Sequence, residues 1–104
     1  MIRQAFVMQL KPGFEAEYKR RHDEIWPELK KLIKEAGISD YSIYLDQRTN
    51  TLFATLKLRE DHASGQLPDN PVQRKWWEYM SDIMDTNPDK SPWRATLPEM
   101  FHMD

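Results

Sequence analysis

One tyrosine and one histidine in the first quarter of the chain are the side chains best suited to move protons. His22 follows Tyr18 by four residues in a stretch of helical periodicity, so both side chains project from one helical face. Imidazole titrates near neutral pH, with an unperturbed pKa of about 6.5, and can give or take a proton without a cofactor. The pair predicts an acid–base site, with a solvated surface histidine as the alternative for His22.

The other two histidines do not indicate a metal site. His62 lies beside Asp61 in a loop-like stretch, and His102 is two residues from the C-terminus. The three histidines lack His-x-x-x-His spacing, and the chain has no cysteine to supply a thiolate ligand or nucleophile. No phosphate-binding glycine motif is present either. We therefore expect no metal and no other cofactor.

Two adjacent tryptophans, Trp76 and Trp77, are the second feature with chemical meaning. Neighbouring helical residues point about 100° apart, so both indoles cannot serve the core in the same way. An indole face packs well on the C–H face of a pyranose, and its N–H can donate to a hydroxyl. One indole packed inward and the other lining a cavity is one interpretation, and two partly buried core tryptophans is the other.

The apolar spacing predicts the elements that position these residues. Strands are predicted at 2–10, 40–46, 52–58 and 95–103, and helices at 14–36 and 72–84. Pro27 predicts a kink or restart inside the first helix, which places His22 near the end of its first piece. Residues 60–71 are predicted to form a loop, and Pro98 predicts an edge position for the last strand.

The order β-α-β-β-α-β is that of a ferredoxin-like α+β sandwich. In this arrangement the helices cover one face of a four-stranded sheet. The other face carries apolar and aromatic side chains here, and burying it against a second copy would form a dimeric α+β barrel. We therefore expect a homodimer.

Charge and hydropathy exclude several classes of partner. The formal net charge is -2, and charges of both signs are mixed along the chain, so we expect no nucleic acid and no anionic lipid as a partner. No apolar run approaches the roughly 20 residues of a membrane-spanning helix, and the N-terminus lacks the apolar core of a signal peptide. These features predict a cytoplasmic protein.

Segments spread over nearly the whole chain resemble the L-rhamnose mutarotase family. They include the strings RRH at 20–22 and WPEL at 26–29, followed by WW at 76–77 and YM at 79–80. The resembling segments, in order, are 1–8, 18–29, 41–46, 52–54, 74–80 and 87–92. Residues 62–71 depart from the family pattern, because they are more loop-like than its usual helical approach to the two tryptophans.

The resemblance implies one mutarotase-like domain over residues 1–104, in a cytoplasmic homodimer that interconverts the α and β anomers of L-rhamnose. It implies that His22 is the proton donor. It also implies that Tyr18, Tyr41, Trp76 and Trp77 contact the sugar.

Mutarotation opens the pyranose ring and closes it on the other face of the carbonyl. We expect His22 to protonate the ring oxygen, while Tyr18, a carboxylate or a water takes the anomeric proton. Two alternative functions remain at this stage. One is a cofactor-free α+β barrel monooxygenase, and the other is a non-catalytic sugar-binding module.

Overall fold

The computed structural model describes residues 1–104, which form four strands, three α-helices and one 3₁₀ helix. The chain order is β1 (Ile2–Gln9), α1 (Glu15–Asp23), α2 (Pro27–Glu35), β2 (Ile38–Asp46), β3 (Thr51–Leu58), the 3₁₀ helix (Ser64–Asp69), α3 (Pro71–Met80) and β4 (Arg94–Leu97). The strands form one sheet in the order β2-β3-β1-β4, and every neighbouring pair is antiparallel. The predicted ferredoxin-like α+β order is confirmed, and β4 lies at an edge as Pro98 predicts.

The break in the first predicted helix falls at Pro27. Helix α1 ends at Asp23, and α2 restarts with Pro27 in its first turn, preceded by Trp26 in an extended conformation with ψ 131°. Proline lacks an N–H but needs none in the first turn, so it starts a helix more readily than it continues one. This restart leaves His22 in the last turn of α1.

Three predicted boundaries are wrong. Residues 60–71 are not all loop, because residues 64–69 form a 3₁₀ helix. Helix α3 stops at Met80 rather than residue 84, since the chain turns there and Met84 forms an isolated bridge with Leu10. Strand β4 stops at Leu97 rather than residue 103, because Pro98 has no N–H to continue the ladder.

The core lies between the helices and one face of the sheet, here called the covered face. In β3, Leu52, Ala54, Leu56 and Leu58 are buried against the helices, and the residues between them point to the opposite, open face. In β1, Phe6 and Met8 are likewise buried on the covered face, as the alternation of its residues predicts. The helices therefore pack on the apolar side chains of the covered face, and this packing positions the side chains of the helices.

Candidate active site

Tyr18 and His22 are in direct contact on α1. Their rings stack with centroids 4.3 Å apart and an angle of 26° between the ring planes. Tyr18 is buried, whereas His22 is half-buried in the last helical turn. The i,i+4 spacing thus places a phenol and an imidazole next to each other on one face of α1.

A backbone hydrogen bond fixes the protonation pattern of His22. Its Nδ1 lies 3.0 Å from the Tyr18 carbonyl oxygen. A carbonyl can only accept, so Nδ1 carries the hydrogen, and the neutral ring presents the lone pair of Nε2. Burial lowers the pKa of His22, and the Tyr18 hydrogen bond and the charge of Asp23 only partly oppose that shift. The imidazole is therefore neutral at pH 7, with Nε2 able to accept a proton.

Trp76 stands edge-on to His22 from the facing helix α3. The two ring centroids are 5.4 Å apart and the planes meet at 87°. Trp26 meets the same indole edge-on at 5.1 Å, and Tyr79 lies 5.7 Å from both tryptophan rings. We call Tyr18, His22, Trp26, Trp76 and Tyr79 the aromatic cluster. It joins α1, α3 and Trp26, the residue that precedes α2.

Two members of the aromatic cluster, Trp26 and Tyr79, were not among the predicted site residues. A signal for Tyr79 exists in the sequence, since it follows Trp76 by three positions and so shares its helical face. Trp26 precedes Pro27 at the helix restart, where helical periodicity ends, so no spacing rule assigns its direction.

Trp77 makes no aromatic ring contact with this cluster. It is half-buried and packs against the hydrophobic core, whereas Trp76 is buried and reaches His22. The divergence follows from the rotation of about 100° between adjacent helical residues. Of the two indoles, the structure brings only Trp76 into ring contact with His22.

Tyr41 reaches the same region from β2. It is 40% exposed overall, yet its hydroxyl is desolvated, which raises the pKa of Tyr41 to about 12. Burial, with a smaller contribution from Tyr41, also raises the pKa of Tyr18. Both phenols therefore stay protonated at neutral pH, so they can donate hydrogen bonds but are poor bases.

Arg94 is a further polar side chain near these phenols that the sequence did not single out. It pairs with Met8 in the sheet register and so lies on the covered face. Its guanidinium carbon is 4.7 Å from the centroid of the Phe6 ring, and its charge acts to lower the pKa of Tyr41. No carboxylate forms an ion pair with Arg94, so its donors are available.

The remaining histidines lie apart from the aromatic cluster. His62 contacts the Ser64 hydroxyl, and His102 contacts Asp104 near the C-terminus. No three His, Asp or Glu side chains converge in a geometry that could hold a metal ion. None of the helices has the length and apolar character needed to span a bilayer.

The fold and this site define a small ferredoxin-like α+β protein with a neutral histidine set among protonated phenols and indoles. Residues 3–103 match the family model described as L-rhamnose mutarotase. The chain belongs to the L-rhamnose mutarotase family.

Individual relatives agree with this membership. An L-rhamnose mutarotase from Rhizobium leguminosarum bv. trifolii is 60% identical over 99 residues, covering 95% of this chain and 93% of the relative. One from Bacteroides thetaiotaomicron is 56% identical over 104 residues and covers 100% of both chains. The crystal structure of an L-rhamnose mutarotase from Formosa agariphila superposes with a TM-score of 0.93 at 48% identity, over 100% of both chains.

Proposed function

We propose that this protein interconverts the α and β anomers of L-rhamnose, and that His22 is the group that moves the protons. Family membership over residues 3–103 supports the reaction and the sugar. The observation that carries the role of His22 is its neutral ring, whose Nδ1 hydrogen is bound to the Tyr18 carbonyl while Nε2 is left to react. Mutarotation transfers neither electrons nor a group, so acid–base chemistry suffices.

A single nitrogen can serve both oxygens of the anomeric carbon. In ring opening, Nε2 of His22 takes the proton of the anomeric hydroxyl, the bond from the anomeric carbon to the ring oxygen breaks, and the imidazolium gives the proton to that ring oxygen. The aldehyde then turns about its bond to the second carbon. Closure runs the same steps in reverse on the other carbonyl face, and His22 returns to its neutral form.

The phenols and indoles bind the sugar in this proposal. Tyr18 and Tyr41 donate hydrogen bonds to sugar hydroxyls, since their raised pKa values keep them protonated. The same protonation disfavours Tyr18 as the base that takes the anomeric proton. Trp76 and Trp77 offer apolar surface to the C–H face and methyl group of a 6-deoxy sugar. Trp76 is the better placed of the two because it also contacts His22.

We also propose that the protein is a cytoplasmic homodimer. The family resemblance supports both statements. Apolar side chains outside the core support the dimer, since a second copy would cover them. Those exposed on the open face and the C-terminal segment are Tyr44, Phe53, Leu97, Met100, Phe101 and Met103.

Saturation-transfer NMR on equilibrated L-rhamnose tests the reaction and the role of His22 together. The wild type should exchange the anomers faster than buffer, and His22→Ala should lower the added rate by about 10²-fold or more. His22→Gln should not restore it, because an amide cannot carry the proton. The control His62→Gln removes a histidine outside the aromatic cluster and should leave the rate unchanged.

Three results would contradict the proposal. A folded His22→Ala variant with the wild-type rate would assign the chemistry to another group. Rhamnose binding without faster exchange would indicate a sugar-binding module. Oxygen consumption with an aromatic substrate would indicate the monooxygenase.

A further inference from the structure

Arg21, the residue before His22, is the only charged side chain that is buried, with 9% of its surface exposed. Burying a guanidinium is costly unless its donors are paired. The other basic residues of α1, Lys19 and Arg20, are exposed and pair with carboxylates of α1 or of Glu24, which directly follows it. The burial of Arg21 therefore needs an explanation that a solvated helix surface does not supply.

The guanidinium of Arg21 joins α1 to the C-terminal end of α3. Its Nη1 donates to the Tyr79 carbonyl oxygen at 2.7 Å and to Oδ1 of Asp82 at 2.9 Å, and its Nη2 donates to Oδ2 of Asp82 at 3.2 Å. On its own helix, Nε donates to Glu17 at 2.7 Å. The guanidinium carbon also lies 4.4 Å from the centroid of the Tyr79 ring.

These contacts restrict how α1 can move against α3. A planar fork that binds both oxygens of one carboxylate tolerates little rotation, and Arg21 is bound on two further sides. The Tyr79 carbonyl belongs to the last turn of α3, where carbonyls lack helical partners and favour a cation. Arg21 thus fixes the end of a short helix of nine residues.

The fixed end of α1 is the part that carries His22. The ring of Tyr79, under Arg21, packs against Trp76, and Trp76 packs against His22. Helix α1 ends at Asp23, one residue later, so no further helical turn holds the imidazole in place. We propose that Arg21 is the positioning residue of His22: by clamping α1 to Tyr79 and Asp82, it holds Nε2 where the sugar reacts.

The expected loss of rate rests on the proposed function, whereas the expected change in the environment of His22 does not. A misplacement of about 1 Å can cost about 10²-fold in rate even when the chemical groups remain. Loosening α1 should also hydrate His22 and let its lowered pKa return toward about 6.5. The second effect is visible in the protein without any substrate.

The experiment compares Arg21→Met with Lys34→Met. Both remove one positive charge, but Arg21 joins α1 to α3, whereas Lys34 is an exposed residue in the last turn of α2. We expect Arg21→Met to lower kcat for anomer exchange by about 10- to 100-fold with a smaller change in KM. Its His22 ring signals should titrate at higher pH than in the wild type. Lys34→Met should change neither quantity. Arg21→Lys should recover only part of kcat, because an ammonium cannot bind Asp82 with a planar fork.

The inference is wrong if folded Arg21→Met keeps the wild-type kcat and His22 titration. It is equally wrong if the loss of rate only follows the folded fraction while the titration stays unchanged. Should Arg21→Met fail to fold, Asp82→Asn decides. This substitution at an exposed residue removes the carboxylate charge and one of the two oxygens that bind the guanidinium, and it should shift both readouts in the same direction. Absence of exchange in the wild type would instead overturn the proposed function, and the His22 titration would still test the clamp.

Discussion

Two consecutive residues of β3 show how differently the faces of the sheet are used. Leu52 is 2% exposed under the helices, whereas Phe53, on the open face, is 39% exposed. Both faces carry apolar side chains, but only one is covered within the chain. The covered face packs against the helices that hold the site, while the open face is the surface that we propose a second copy covers. Apolar alternation alone does not distinguish these two roles.

The largest expected difference between the faces is in stability. Leu52→Ala should lower the free energy of unfolding by about 2–5 kcal/mol, because it opens a cavity in the core. Phe53→Ala should cost less in dilute protein, because much of that ring is already in water. Urea denaturation followed by tryptophan fluorescence measures both changes. Equal losses would mean that the open face is as well packed as the covered one.

Dimer formation should depend on the open face and not on the covered face. Phe53→Lys places a charge in the middle of the open face and should convert a dimer to a folded monomer. The control Gln47→Lys adds the same charge in the exposed turn between β2 and β3 and should leave the mass unchanged. Light scattering at micromolar concentration reads the difference. A monomeric wild type would contradict the proposed dimer.

On the helix side of the sheet, substitutions of the two tryptophans should differ in their effect on anomer exchange. Trp76→Phe removes the indole edge that meets His22 and should lower anomer exchange on the order of 10-fold. Trp77→Phe should have a smaller effect on exchange. Quenching of intrinsic fluorescence by L-rhamnose gives the binding contribution of each indole. A larger loss of exchange in Trp77→Phe would reverse the proposed ranking of the pair.

The smallest expected effect is the dependence of stability on His22 protonation. The folded pKa of His22 lies below its unfolded value, so the unfolded chain binds more protons in this range. Stability should therefore fall as pH drops through about 6.5 toward the folded pKa. The melting temperature of the wild type should fall relative to that of His22→Gln as pH drops through this window. Identical slopes for the two proteins would show that the pKa of His22 is not lowered by folding.

Most of the fold was predictable because its signals are local. Strand alternation, the restart at Pro27 and the edge position before Pro98 each depend on a few neighbouring residues. Two of the three wrong boundaries, those of α3 and β4, fall where apolar residues continue past the end of an element. Ile83 and Met84 are core residues and extend the spacing of α3, yet they are buried by a turn and a bridge to Leu10 rather than by helix.

The site was predictable only where spacing within one helix decides it. Tyr18 and His22 share a face by their separation of four residues, and they stack in the structure. The contact between His22 and Trp76 joins residues 54 positions apart, and so depends on how α1 packs against α3. No spacing within α1 predicts the burial of Arg21, because its partners Tyr79 and Asp82 lie in and just after α3.

The central claim is that neutral His22 accepts the anomeric proton through Nε2, and the pH dependence of anomer exchange tests it most directly. The catalysed rate, measured by saturation transfer between about pH 5 and 8 after subtraction of the buffer rate, should rise through the lowered pKa of His22 and then level off. His22→Gln should give a low rate without this step. A catalysed rate that falls as pH rises through the same range, or a wild-type profile in His22→Gln, would contradict the account.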